Sequence, residues 1–337
     1  TTSTGPTRAS GTRSEAMSGS PGEEAVADGG TVEEPGPGLS GVAVGRLVGS
    51  ELLRSPPFRL PPALWMGPVV SGALAWNGFI SLTEWSGLSP TPEYGTLDLS
   101  QYVALLSDPT FATAVRNTVA LLVAFTVVTL DAGLLLAILV DQQVRFENTL
   151  RTIYLLPMSL SFVVTAKFWL YMYNPQTGLV NLLLGAVGIG PVEIIQNPEL
   201  KLGAVAFALV WQFSGYAMIV YLAGLRAIPT SHFEAARIDG ASSVRMYWRV
   251  IIPQLRTATV SALVVLTVFA LKAFDFLFSM YGYQPGPSAD ILATRMVREA
   301  YSNGNWAYGS AIAVILFVLA LAIVAPYIYS QYQRGEL

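Results

Sequence analysis

Residues 227–256 read AIPTSHFEAARIDGASSVRMYWRVIIPQLR. Ser231 and Glu234 stand at capping-box spacing, the serine oxygen placed to accept from the third amide and Glu234 to reach back to the serine amide. Pro229 lies just upstream. A short helix is predicted through Ala235, Ala236 and Ile238, and Gly240 is placed to end it, because glycine enters the left-handed region at little cost. A second helix is predicted from about Ala241 to Val250, with Pro253 marking a bend. The segment therefore reads as a compact helix–turn–helix. Ala235, Ala236, Gly240 and Ala241 gather small side chains on one surface. They let a partner's backbone come close, and they equally suit a re-entry turn packed on the protein's own helices. His232 beside the cap reads as a solvated loop histidine.

On either side of this loop lie apolar stretches, at about 202–225 and 258–281. Working outward, four more appear at 62–83, 114–140, 153–173 and 308–330. Each is near the 20 residues that a bilayer core demands. The first is interrupted by Gly67, Pro68, Gly72, Asn77 and Gly78. Composition agrees: of 337 residues 53% are hydrophobic and only 12% charged, and the mean hydropathy is +0.50. A soluble domain carries about 25% charge. The expected fold class is all-α, a polytopic membrane protein with six transmembrane helices. The expected division is a disordered acidic tail at 1–45, a first transmembrane helix with its external loop at 60–112, and a membrane domain at 113–333 carrying the loop 228–255.

Arginines set the orientation. Arg46, Arg54, Arg59, Arg145, Arg151, Arg226, Arg237, Arg245, Arg249, Arg256 and Arg334 fall on one side, against Arg295 and Arg298 in the alternate loops 84–113, 174–200 and 282–307. The positive-inside rule places both termini and the 226–257 loop in the cytoplasm. Residues 1–45 are built from Gly, Pro, Ser, Thr, Ala and Glu, with little that could form a core, and no charged region leads directly into an apolar one as in a signal peptide. The loops 84–112 and 174–200 read as turns and short helices.

Several functions are excluded. The chain has no cysteine and one histidine, so no thiol nucleophile, iron–sulfur cluster or two-His metal site is expected. A net charge of −3 gives no footprint for nucleic acid. None of the three lysines (Lys167, Lys201, Lys272) follows a glycine, so no Walker A phosphate cradle exists. No catalytic constellation converges. The 16 arginines against 3 lysines fit a GC-rich genome or a salt-adapted proteome.

Glu234-Ala235-Ala236, three residues, Gly240, nine residues and Val250-x-Ile252-Pro253 resemble the EAA loop of binding-protein-dependent ABC importer permeases. Ile238-Asp239-Gly240-Ala241-Ser242 also matches its usual wording. Further similarity lies in Asp108-Pro109-x-Phe111 with Asn117-Thr118, in Arg151-Thr152-x-Tyr154-Leu155-Leu156-Pro157, in Asn174-Pro175-x-x-Gly178-Leu179-Val180-Asn181 and in Phe274-Asp275. Together these look like the first permease subunit of sugar importers, the group of maltose and glycerol-3-phosphate permeases, over about residues 60–333. Tyr281-Gly282-Tyr283-Gln284-Pro285-Gly286-Pro287 departs from that group's Thr-Gly-Gly-Gly-Pro turn.

The resemblance implies a type I importer permease fold, a second permease, two ATPase subunits that bind the ATP and Mg, an external substrate-binding protein, a sugar substrate and a prokaryotic plasma membrane. It implies no cofactor in this chain. In that family the EAA loop seats a coupling helix in a groove of the ATPase. Glu234 would then meet basic or polar groups, Ala235, Ala236, Gly240 and Ala241 would permit close docking, and Asp239 would cap the second helix or touch the ATPase. Arg237, Arg245 and Arg249 would be rim contacts or membrane-side anchors.

Charged residues deep inside apolar stretches include Asp131, Lys167, Lys272 and Asp275, each costing about 2.5–3.5 kcal/mol on insertion scales. Lys272 and Asp275 are spaced i, i+3 and are predicted to pair on one helix face. With Trp211, Gln212, Tyr216 and Phe274 they form the expected substrate path, since a sugar ring is apolar on its faces and polar at its edge. The same residues also suit packing between spans. The alternative is an ion-coupled secondary transporter that uses the four charges as a relay. A membrane enzyme is the weakest reading.

Overall fold

In this computed structural model, residues 56–87, 89, 91–92, 97–142 and 147–333 are described. The predicted tail 1–45, Arg46, Arg54, Arg145 and Arg334 lie outside the described residues. The chain divides into units 1–66 and 67–337, and of the first only the opening of a helix is described. Among the described residues all regular structure is helical.

Helix α1 covers Pro56–Ile80 and α2 covers Ser100–Ser107. Asp108 caps α3, Pro109–Asp141, by accepting from the Thr110 amide, with proline at the first helical position where its missing N–H costs nothing. Then follow α4 (Glu147–Leu155), a 3₁₀ turn at Leu156–Ser159, α5 (Phe162–Met172) and α6 (Leu179–Ala186). The long α7, Lys201–Ala227, leads into α8 (Thr230–Ile238), α9 (Ser243–Met246), a π turn at Tyr247–Ile251 and α10 (Ile252–Gln254). Arg256–Leu271 forms α11 and Phe274–Tyr281 forms α12. The chain closes with α13 (Leu292–Val297), a π turn at Arg298–Ser302 and α14 (Trp306–Gln333).

Three described helices, α3, α7 and α14, are each long and apolar enough to cross a membrane, or up to five spans if each bent pair counts as one. This corrects two of the expected spans. Segment 153–173 is no straight rod: the chain turns by 101° between α4 with its 3₁₀ turn and α5. Pro157 lacks the N–H that would continue α4, and Ser161 starts α5 by accepting from the Val164 amide. Segment 258–281 breaks at Lys272-Ala273 into α11 and α12. The bend expected at Pro253 is present, 67° between the 243–254 segment and α11.

The most extensive pairing joins α3 to α7. At their crossing a β-carbon on Gly133 would fall on the β-carbon of Ala217 and 2.8 Å from the backbone of Ala217 and Met218, so only glycine lets the two helices meet there. Small residues at a crossing are how membrane helices gain dispersion contact when lipid removes the hydrophobic drive. Beside this crossing sits a node of five phenylalanines from five elements. Phe213 of α7 lies 4.5 Å from Phe269 of α11 and 5.8 Å from both Phe125 of α3 and Phe162 of α5, and Phe162 contacts Phe276 of α12 at 6.4 Å between centroids. The edge-to-face and tilted pairings suit the ring quadrupoles.

Candidate coupling loop and substrate path

The loop after α7 is a helix–turn–helix, as its spacing predicts, but its caps differ. Helix α8 starts at Thr230 behind Pro229 with no side-chain cap, so the Ser231–Glu234 capping box does not form. The start falls two residues too early for Ser231 to be the N-cap. At the other end Gly240 has φ +71°, the Gly240 amide donates to the Arg237 carbonyl, and the Ala241 amide donates to the Ala236 carbonyl at 3.0 Å. These are the two bonds of a Schellman ending, so Gly240 stops the helix as expected. The second helix is α9 and its π turn rather than one α-helix from Ala241. Its cap is Ser242, which accepts from the Arg245 amide, and not Asp239.

Met246, Ile251, Leu255 and Ala236 are buried and anchor the loop, so one of the four small residues packs inward. Glu234, Ala235, Asp239 and Gly240 are exposed and Ala241 is half-buried. His232 is exposed yet not free: its Nδ1 lies 2.9 Å from Gln254 Oε1 and links α8 to α10. Ile238 (85% exposed), Val244 (69%) and Trp248 (70%) turn large apolar side chains outward on this same loop. Simple hydropathy hides them, because their neighbours are charged.

The expected substrate-path residues fall into separate groups. Trp211 stacks on Phe168 at 5.5 Å and lines an apolar hollow of about 750 Å³ with Trp169, Phe207 and Leu183. Gln212 is buried and donates through Nε2 to the Leu160 carbonyl, holding the bend before α5. Tyr216 is half-buried on α7. Lys272 and Asp275 are both exposed and form no ion pair with each other, which corrects the expected pairing. The helix break between them abolishes the i, i+3 geometry. Lys272 instead caps the C-terminal end of α11 and Asp275 sits in the first turn of α12, each where the helix dipole favours its charge. Phe274 stacks on Phe278 at 5.4 Å. Asp131 and Lys167 are exposed, and among the described residues neither makes an ion pair.

At the opposite end from the loop a polar network appears that sequence spacing did not reveal. Arg298 grips Asp290 with two bonds of 2.9 and 2.6 Å, and Arg295 contacts Asp108 and Thr110. Tyr308 donates to Asp108 at 3.0 Å. Burial pushes the Asp108 carboxyl up, but bonds from Thr110 and Tyr308 and the Arg295 charge outweigh it and hold the group below the usual carboxylate range. Hydrogen bonding to Asp290 raises Arg298 further. The two arginines that the orientation argument left on the sparse side are thus both neutralised. Asn117 donates to the Pro287 and Asp290 carbonyls at 2.8 Å and Thr118 accepts from the Leu292 amide, which gives that motif a physical role. Asn181 likewise stitches its loop, donating to Val192 and accepting from its amide at 2.7 Å.

A family model described as the binding-protein-dependent transport system inner membrane component matches residues 132–335. The chain belongs to this family. It is 52% identical over 289 residues to the xylose/arabinose import permease protein XacH of Haloferax volcanii, covering 86% of this chain and 91% of that one. It is 31% identical over 239 residues to the trehalose/maltose transport system permease protein MalF of Thermococcus litoralis, covering 70% and 80%. Its fold is like that of a chain in a bacterial alginate ABC transporter in complex with an alginate pentasaccharide-bound periplasmic protein, with a TM-score of 0.70, 21% identity and coverage of 88% and 97%. The protein is therefore a multi-pass membrane permease subunit of an ABC importer, a transport component and not an enzyme. This sets aside the ion-coupled alternative, and the four intramembrane charges, scattered and unpaired with one another, give it no relay.

Proposed function

We propose that this permease imports a neutral sugar across a prokaryotic plasma membrane, paired with a second permease, two ATPase subunits and an external substrate-binding protein. ATP and Mg are held by the ATPases. Both termini and the 228–255 loop of the 113–333 membrane domain face the cytoplasm, as the arginine distribution supports.

The observation that carries the coupling role is the open surface of the loop. Ile238, Val244 and Trp248 are each at least 69% exposed beside Glu234, Ala235, Asp239 and Gly240. Three large apolar side chains bared within eleven residues of an aqueous loop form a surface that a partner covers. Tryptophan is enriched among the anchors of such contacts. Glu234 and Asp239 would meet basic groups of the ATPase, while the Schellman turn at Gly240 presents a bare backbone to it. For the path, exposed Lys272 and Asp275 nearly balance in charge and lie beside Phe274, which supports a neutral solute. Sugar is further supported by the relatives named for xylose/arabinose and trehalose/maltose.

The test is purification of the solubilised complex from its native membrane, wild type beside Glu234→Arg, with the partners identified by mass spectrometry. An ATPase and a second permease accompany the wild type, and the ATPase is lost from the variant. Absence of any ATPase from the wild-type complex in mild detergent would sink the reading.

A further inference from the structure

The segment 147–160 is fastened along one face of α7 at three points. Near the bend, Gln212 Nε2 donates to the Leu160 carbonyl at 2.9 Å. One turn along, Gly215 lets the chain at the end of α4 lie directly on α7: a β-carbon there would meet the Tyr154 carbonyl group, with its carbon at 2.7 Å. At the cytoplasmic end Arg226 reaches Glu147 Oε1 at 2.5 Å and Asp141 Oδ1 at 3.9 Å, while Arg151 holds the same Glu147 from within α4. At about 100° per residue, positions 212, 215 and 226 fall within roughly 60° of one another around α7. The two chains run antiparallel. Residues 215 to 226 rise about 16 Å and 154 to 147 about 10 Å, and the long arginine and glutamate side chains span the difference.

Arg226 stands two residues before Ile228, where the chain leaves α7 for α8. A force on α8 therefore enters α7 at the residue that grips α4. We propose that Arg226 is a positioning residue which clamps α4 to α7 so that the two move as one body with the coupling helix, carrying its displacement to the 101° bend and α5. This rests on the coupling role given to α8 above. The clamp is ionic because its groups are partly wet, with side-chain exposures of 48% for Arg226 and 23% for Glu147. Gln212 is then, through Nε2, a tie of the bend, while its buried Oε1 has no partner among the described residues.

Because the chain has no cysteine, two can be placed without background. Thr152 and Ala223 are exposed on α4 and α7, and neither is itself one of the clamp groups named above. Spin labels there, in the whole purified complex, report the α4–α7 distance without nucleotide and with ATP plus vanadate. The expected result is the same distance in both states to within about 2 Å, the size of an ordinary helix shift. Arg226→Gln broadens the distance distribution and Arg226→Lys restores it. A change of more than about 5 Å between states, one helical turn, would overturn the proposal. So would an Arg226→Gln distribution identical to the parent's. The docking reading fails separately: if no ATPase accompanies the complex, the nucleotide-free Gln and Lys variants still decide the clamp.

Discussion

Replacing Gly133 with alanine adds one methyl group where none fits. The new carbon would lie on Ala217 Cβ and 2.8 Å from the Ala217 carbonyl carbon and the Met218 nitrogen. Ordinary carbon contacts lie at about 3.5–4.0 Å, so α3 and α7 must part by about 1 Å along their most extensive contact. Neither neighbour is the tip of a flexible side chain, and Ala217 and Met218 are fully buried, so backbone must move. Overpacking of this kind costs about 1–3 kcal/mol. For a domain of this size that lowers Tm by about 3–10 °C. The assay is thermal unfolding of the protein in detergent, with Gly203→Ala as control. Gly203 lies in α7 with open space around it, so that methyl group should be neutral or slightly stabilising. Adding Ala217→Gly removes the nearest carbon but leaves the backbone contacts, and should restore part of the loss. A Gly133→Ala protein that melts within about 1 °C of wild type would refute the close crossing.

Two further outcomes are expected. Gly240→Ala meets no neighbour within 4 Å, so its cost is backbone strain alone, about 1–2 kcal/mol at φ +71°. It should weaken ATPase retention in the purified complex while global Tm stays nearly unchanged, and Gly240→Asn should retain more than alanine does. Asp108 is held below the usual carboxylate range, so its stabilising contribution is complete above the ordinary value of about 3.9 and is lost as pH falls through its lower folded value. Asp108→Asn should lower Tm at pH 7 and flatten the acid limb of a Tm–pH profile, read by the same thermal melts.

Much of the loop was legible because its signals are local. Gly240 is read from the left-handed conformation that only it adopts cheaply, and Pro253 from the helix it cannot continue. The capping box failed for a local reason too: a two-residue shift of the helix start removes it. Span continuity was not legible. Hydropathy sees Ile153 to Tyr173 as one apolar run, yet Pro157 and the Ser161 cap, with Gln212 holding Leu160 from 52 residues away, fold it back by 101°. The Lys272–Asp275 pair was misread because periodicity assumes an unbroken helix. The Arg295–Asp108 and Arg298–Asp290 contacts were invisible for different reasons. The first joins residues 187 positions apart. The second needs the extended stretch before α13 to bring its partners together. Asn117, Thr118 and Asn181 were picked out by resemblance, and the structure supplies their reason: each satisfies backbone groups of a neighbouring segment.

The five-phenylalanine node has a mechanical consequence. Its rings come from α3, α5, α7, α11 and α12, and close-packed interiors switch between discrete arrangements rather than stretch. A transport cycle that keeps the node intact must turn these helices about it as a fulcrum. Atoms near Phe213 then travel least and those at the helix ends travel furthest. That places the stillest part of the molecule midway along α7 and the widest excursions at its two wet faces, where the ion pairs and the bare loop surface lie.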